Sequence, residues 1–453
     1  FVQAEEGEDT TLLTQHDIVK AVDITSAQKY FDLDLKDFGP YRVNYTRNGR
    51  FLLIGGNRGH VASIDWQSKR LMCEMNVMET THDVKWLHQE TMFAAAQKQW
   101  TYIYDNQGIE LHCLKTLDCA LRLEFLPFHF LLASASSKGF LSWLDVSIGK
   151  QVAVHKTGQG RLDVMCQNPQ NATLCLGHTG GTVTLWSPNV KEPLVKMLCH
   201  GGGVRSVTVD RAGQYLATSG LDRKLKIWDL RTYKMLQCYK TGYGAGSMAF
   251  SQTGLLALGK GNLVEVYQDC CRQTVTKPYL THKFTSTVEA LQFCPYEDVL
   301  GVGHGEGFTS LLIPGAGEAN FDALEDNPYQ SKKQRREAEV QMLLNKIPFE
   351  MIHVDTAKIG QLDVKTYEEK IQQHNKIHFL KPKKVHFEPS YKMKGKNKSG
   401  RIENRKKAVQ EEEKRNVIKE VNRLKQREMA AKYKTKELKS DNVLDRFKKK
   451  DFN

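Results

Sequence analysis

The stretch from His200 to Gly242 reads H-GGG-VRSVTVD-RAGQ-YLATSG-LDR-KLKIWD-LRTY-KMLQCYKTG. It holds four short runs in which apolar and polar side chains alternate, the period-2 pattern of half-buried strands, with Gly, Asp and Arg punctuating the turns. Trp228-Asp229 closes the third run. Positions equivalent to Asp229 recur along the chain as Asp65, Asp105, Asp145, Ser187, Asp229, Gln268 and Ile313, at intervals of 40, 40, 42, 42, 39 and 45 residues. Seven units of this length predict an all-β fold, a seven-bladed β-propeller built from four-stranded sheets.

The unit from His200 to Gly242 resembles a WD repeat. His200, Thr218, Asp222 and Trp228 match the hydrogen-bonded tetrad that ties the strands of a blade together in that family, and a His and an Asp inside a blade must be satisfied by partners if they are buried. The other units are degenerate but periodic: Asp105 follows Tyr104, Asp145 follows Leu144, and Trp186 is followed by Ser187. The last unit breaks off at Leu311-Leu312-Ile313, where Pro314-Gly315 leads into an acidic, helix-like segment that offers no fourth strand. Upstream of the first unit, Tyr30-Phe31-Asp32-Leu33-Asp34-Leu35 alternates cleanly and has no blade of its own. It is expected to close the ring and remove the exposed edge of an open propeller. Before it, Leu12 to Lys29 reads as a short helix packed outside the propeller.

The chain has 453 residues and 40% hydrophobic residues, enough for one large domain with appendages. It begins at Phe1 without a methionine, which implies a preceding stretch, and no apolar run approaches the length of a membrane span. Ten cysteines are scattered, several at strand positions such as Cys166, Cys175 and Cys294, without the paired spacing of a zinc site. They read as buried thiols of a reducing compartment.

Net charge is +13, and its placement is uneven. Residues 381–453 carry 25 Lys plus Arg against 11 Asp plus Glu, whereas the other 380 residues carry 40 and 41. The whole basic excess therefore belongs to the tail. Lys392 to Arg401 reads as a flexible basic linker. From Arg401 to about Lys436 the composition is helix-capable, but Ile402, Val409, Val417, Val421 and Leu424 are too sparse to make a buried face. A dense cationic segment that cannot bury itself suits a polyanion, whose phosphates it neutralises with release of counterions.

Enzyme readings fail on chemistry. Gly254 to Lys260 has the outline of a phosphate-binding loop but ends in Gly261 where the magnesium-binding Ser or Thr should stand, and Leu255 to Leu258 read as a core strand. Gly242-Tyr-Gly-Ala-Gly246 precedes no helix pattern, so it is no dinucleotide turn. His60, His112, His155, His178 and His304 lie at turns or strand ends without a second ligand or carboxylate at useful spacing and are assigned to structure. No catalytic residue, cofactor, metal or small-molecule substrate is expected.

Beyond the repeats come Gly317-Glu318-Ala319-Asn320-Phe321-Asp322, then Asn327-Pro328-Tyr329-Gln330-Ser331-Lys332-Lys333-Gln334-Arg335-Arg336-Glu337, then Val340 to Ile347 and Pro348. This stretch closely resembles the C-terminal domain of the BING-type nucleolar WD-repeat family, and with the repeats and basic tail the likeness follows the family's order over essentially the whole chain. The resemblance implies a nucleolar, non-catalytic scaffold of the small-subunit processome, working in pre-rRNA processing. Its implied partners are precursor ribosomal RNA, the snoRNP-containing processome and other nucleolar assembly factors, WD-repeat proteins among them, with no membrane. The expected organisation is an N-terminal extension over 1–37, the propeller over 38–315, the BING-type segment over 316–380 and the basic, partly helical tail over 381–453.

In the BING-type segment Ser331 is placed to cap a helix ending before Pro348, and Val340, Leu343, Leu344 and Ile347 form an i, i+3, i+4, i+7 stripe that would dock on the propeller. Candidate RNA or partner contacts are Lys332, Lys333, Arg335 and Arg336 on the opposite face, and Lys381, Lys383, Lys384, Lys392, Lys394, Lys396, Lys398, Arg401, Arg405, Lys406 and Lys407 in the tail. A different function class is raised by Trp228-Asp229-Leu230-Arg231, which fits the W-D-x-R box of substrate receptors for cullin-type ubiquitin ligases. That box is short and arises readily in any well-formed WD blade.

Overall fold

The computed structural model describes residue 2, residues 9–354 and residues 398–437. The chain divides into two compact units, Phe1–Gln361 and Leu362–Asn453. The first holds seven four-stranded antiparallel sheets, the blades of a propeller. Blades 1 to 6 take residues 41–76, 81–114, 120–156, 164–198, 204–240 and 247–283 in order, and blade 7 takes 288–312 plus an N-terminal strand.

The 40-residue period is the period of the third strand. His60–Asp65, Thr101–Asp105, Phe140–Asp145 and Lys224–Asp229 end on the repeating Asp, and Thr182–Trp186, Leu263–Tyr267 and Gly307–Leu312 end one residue before Ser187, Gln268 and Ile313. Second strands such as Phe51–Gly56, Leu131–Ser136 and Val299–His304 are buried throughout, because sheets cover them on both faces. The core lies between neighbouring blades, where Trp143, Leu176 and Trp186 share one cluster and Leu53, Val84 and Phe93 another. Small residues admit this close approach: a Cβ on Gly55 would stand 2.6 Å from Val84 of the next blade, and one on Gly177 2.8 Å from Val204.

Phe31–Asp34 completes blade 7, pairing antiparallel with the third strand in the register Phe31↔Ser310 to Asp34↔Gly307. The seventh sheet thus takes its outer strand from the start of the chain. Beyond that short strand, the buried amide of Gln15 takes over. Its Nε2 donates to Leu312 O at 3.1 Å and its Oε1 accepts from Leu312 N at 2.9 Å.

Leu12 to Lys29 is not one helix. It folds as a 3₁₀ turn, Thr10–Leu12, then α1, Gln15–Ala21, and α2, Ile24–Ala27. Thr14 starts α1 with a reciprocal capping box to Asp17, and Ile18 seats in the core at 4% exposure. The break lets Gln15 and Ile18 reach blade 7 while Lys29 O turns to accept from Ser310 Oγ at 2.6 Å.

The acidic stretch after Pro314-Gly315, read as helix-like, forms turns and bends instead. Helices follow at α3, Lys332–Leu344, and, in the second unit, α4, Lys398–Glu437. Ser331 caps α3 as expected, with Gln334 reciprocating. The helix expected from Arg401 starts at Lys398, so the end of the presumed flexible linker is helical; residues 392–397 lie outside the described residues.

Candidate RNA and partner interface

Residues 316–354 form a strap across one face of the propeller, touching blade after blade. Ala316 is buried in the core shared by blades 6, 7 and 1. Gly317 N donates to Asp298 Oδ1 at 2.9 Å, and Glu318 meets Arg211 of blade 5 at 2.5 Å. The acidic residues of the turns then reach blade 1: Arg47 pairs with Glu325 at 2.8 Å and with Asp326 at 2.9 Å, and Arg50 donates to Pro328 O at 2.9 Å while holding Asp65. Burial pushes the Asp326 carboxyl up, against the opposing pull of Arg47 and the Tyr296 hydroxyl. At the far end Ile352, 1% exposed, inserts into the cluster between blades 3 and 4.

Between these anchors α3 sits in an orientation the apolar pattern did not predict. The stripe of Val340, Leu343, Leu344 and Ile347 faces away from the propeller, at 56, 42, 78 and 37% exposure. The docked face is mainly polar. Arg335 pairs with Glu90 at 2.7 Å, Glu339 meets His88 at 3.1 Å, Lys346 binds Asp145 and donates to Ser147 at 2.7 Å, and Met342 supplies an apolar contact to blades 2 and 3. Burial favours this face because each charge finds a fixed partner there, and a buried charge left unpaired would cost far more than an exposed leucine. Arg335 is therefore separated from its expected companions: Lys332, Lys333 and Arg336 are exposed, with Lys333 and Arg336 on the same face as the apolar stripe and not opposite it, and Arg335 is clamped to the ring.

The strap also accounts for a departure from the repeat. Ser187 stands where four other blades have Asp, and its hydroxyl donates to Ile352 O at 2.8 Å. A carboxylate at this position would face that carbonyl with no proton to give. Asn189 adds bonds to Glu350 O at 2.8 Å and to Ile352 O at 3.2 Å. In the sequence Ser187 looks like simple degeneracy, and nothing local marks Asn189, Met342, Lys346 or Ile352, whose partners lie far off in the chain.

In blade 5 the tetrad forms as expected. His200 Nδ1 lies 2.9 Å from Asp222 Oδ1, His200 Nε2 lies 2.9 Å from Thr218 Oγ1, and Trp228 Nε1 donates to Thr218 Oγ1 at 3.1 Å. Burial pushes the Asp222 carboxyl up, but the His200 hydrogen bond and charge outweigh it and hold it below the usual carboxylate range. The three bonds thus link parts of one blade to each other. His178 and His304 bond Thr184 and Thr309 similarly, at 2.6 and 3.0 Å. His112 is exposed on an outer strand.

The central channel encloses about 770 Å³. Its lining mixes signs, with Arg42, Arg122 and Arg205 beside Asp83, Asp163 and Glu289, and Lys85 paired to Glu124 at 2.7 Å deeper in. Such a lining lacks the single-signed field that would draw in a polyanion. The stretch resembling a phosphate loop is the second strand of blade 6, Leu256–Lys260, and Lys260 is buried against Glu265. Among the described residues no cluster of His, Cys, Asp and Glu is fit to hold a metal.

In the second unit α4 is a 40-residue helix, roughly 60 Å long at the usual rise. Arg405, Lys406 and Lys407 are exposed on it, and even Val417 and Ile418 stand 55 and 58% exposed. Lys398 and Arg401 fall within the helix, whereas Lys381, Lys383, Lys384, Lys392, Lys394 and Lys396 lie outside the described residues.

Comparison with known proteins agrees with this layout. Residues 278–355 match the BING4CT (NUC141) domain, and residues 191–229 match the WD domain, G-beta repeat. The first match joins blade 7 to the strap. The chain is 54% identical to human WD repeat-containing protein 46 over 425 residues, 93% of this chain and 70% of that protein. To the protein of that name from Caenorhabditis elegans it is 48% identical, covering 91 and 71%. To U3 small nucleolar RNA-associated protein 7 of Saccharomyces cerevisiae it is 46% identical over 375 residues, covering 79 and 68%.

Proposed function

The chain belongs to the family of WD-repeat proteins that carry the BING4CT domain, and from that premise we propose that it is a nucleolar assembly factor of the small-subunit processome, required for pre-rRNA processing. The observation that carries the reading is the 46% identity to a yeast protein named for its association with U3 small nucleolar RNA, sustained over 79% of this chain. The ligase-receptor alternative finds no support among these relatives, and Arg231, on which its box depends, leans back on Asp229 of its own turn at 3.3 Å.

We read the molecule as non-catalytic and two-part. The propeller of residues 38–315, closed by the N-terminal extension and braced by the BING-type segment, is the head that meets protein neighbours. The basic tail from 381 onward meets precursor ribosomal RNA through phosphates and shape, since its few aromatics form no stacking module. Lys398, Arg401, Arg405, Lys406 and Lys407 on α4, and the six lysines from Lys381 to Lys396, are the candidate contacts. Lys332, Lys333 and Arg336 face solvent on α3 and are open to RNA or a neighbouring factor.

Depletion of the protein tests the reading. Unprocessed small-subunit precursor RNA is expected to accumulate, with rescue by the full chain. Processing at an undiminished rate would remove the proposal.

A further inference from the structure

We infer that the outward ridge of α3 is a docking site for an acidic amphipathic helix of a protein partner. The first ground is the reversed polarity of the helix. A surface helix ordinarily turns its apolar stripe to the core. Here Arg335, Glu339 and Lys346 are used against the ring instead, while Val340, Leu343, Leu344 and Ile347 point out at 37 to 78% exposure. The ridge is also rigid, because Arg335 and Glu339 of α3 are held by blade 2 and Lys346, just past its end, by blade 3, so ordering it costs a partner little.

The second ground is charge. Lys333 and Arg336 continue the same ridge toward the N-terminus of α3 at helical spacing, so one strip runs from basic to apolar. Its complement is a helix with leucine-like residues at i, i+3, i+4 and i+7 and carboxylates beyond them. RNA would match only the basic half and leave the apolar half wet. The inference stands whether or not the tail meets RNA.

The test uses the full chain and two synthetic helical peptides with identical leucine spacing, one flanked by glutamates and one by lysines, in a fluorescence anisotropy titration. The glutamate peptide is expected to bind at least ten-fold more tightly than the lysine peptide. Leu343→Ser/Leu344→Ser should lose that binding and keep the wild-type melting midpoint, because both residues are exposed. Lys333→Glu/Arg336→Glu should reverse the preference between the peptides. Equal binding of both peptides, binding untouched by the leucine changes, or loss of single-stranded RNA affinity in the leucine variant would overturn the proposal. So would wild-type dimerisation in sedimentation that the leucine changes abolish, since a second copy would then be the occupant.

Discussion

The propeller with its strap and the helix α4 draw on the same charged residues and use them in opposite ways. In the propeller, charge is spent on position: Lys85 on Glu124, Arg50 on Asp65, Arg335 on Glu90 and Arg47 on Asp326 each fix one loop or blade against another. Residues 1–380 accordingly balance 40 basic against 41 acidic groups, whereas the tail from 381 holds 25 against 11. In α4 no described side chain is buried, and cations held at a surface are of the kind that neutralises the phosphates of a polyanion. Sequence order places the charge-balanced part first and the basic part last.

Deleting residues 381–453 should break the comparison most visibly. The intact chain is expected to lose about 10³ to 10⁵-fold in RNA affinity between 50 and 200 mM salt if roughly eight phosphates are neutralised, and the truncated chain should lose most RNA binding with its melting midpoint intact. Salt-dependent binding that survives truncation would move the RNA site to the head. Within the head, Ile352→Ala should destabilise by roughly 2 to 5 kcal/mol in calorimetry by emptying the contact between blades 3 and 4, while RNA affinity stays fixed. Unchanged stability would mean that the strap is not part of the head's fold.

Acid should act on the head through His178. Burial first, and the nearby Lys196, bring His178 down to about 4 from its ordinary 6.5, so the unfolded chain takes up a proton that the folded blade refuses. Stability from this group is then full above pH 6.5 and is lost as pH falls toward 4, to the extent of about 3 kcal/mol. His178→Gln should flatten that part of the pH profile of the melting midpoint, and an identical profile would refute the assignment. The smallest effect is expected from Ser187→Asp, about 1 to 3 kcal/mol, because it restores the repeat but turns a donor into a carboxylate beneath Ile352 O. Hydrogen exchange should quicken in residues 349–354 in that variant, and a stabilised strap would contradict the account of Ser187.

What could be read from the sequence follows from how local each signal is. The repeat was legible because the third strand ends on Asp65 or its equivalent, or one residue before it, in every blade, and the ring-closing strand because Phe31 and Leu33 alternate with Asp32 and Asp34. The tetrad was legible because a single blade carries all four residues. The seating of α3 was not. An i, i+3, i+4, i+7 stripe ordinarily marks the buried face, and only the positions of Glu90, His88 and Asp145, more than 190 residues upstream, reverse that reading. The N-terminal helix failed for a related reason, since the chain breaks where Gln15 must reach a carbonyl and an amide 297 residues away.

The outer strand of blade 7 is made first and used last. Phe31 leaves the ribosome long before its partner Ser310 exists, and at about 5 to 20 residues per second the wait is roughly a quarter of a minute to a minute. During that interval the partial ring offers an uncovered blade face at each end, and Phe31 and Leu33 have no sheet to pair with. The nascent chain thus passes through a lengthy period in which a chaperone, or a neighbour able to lend a strand, can engage it, and closure marks the moment when that opportunity ends.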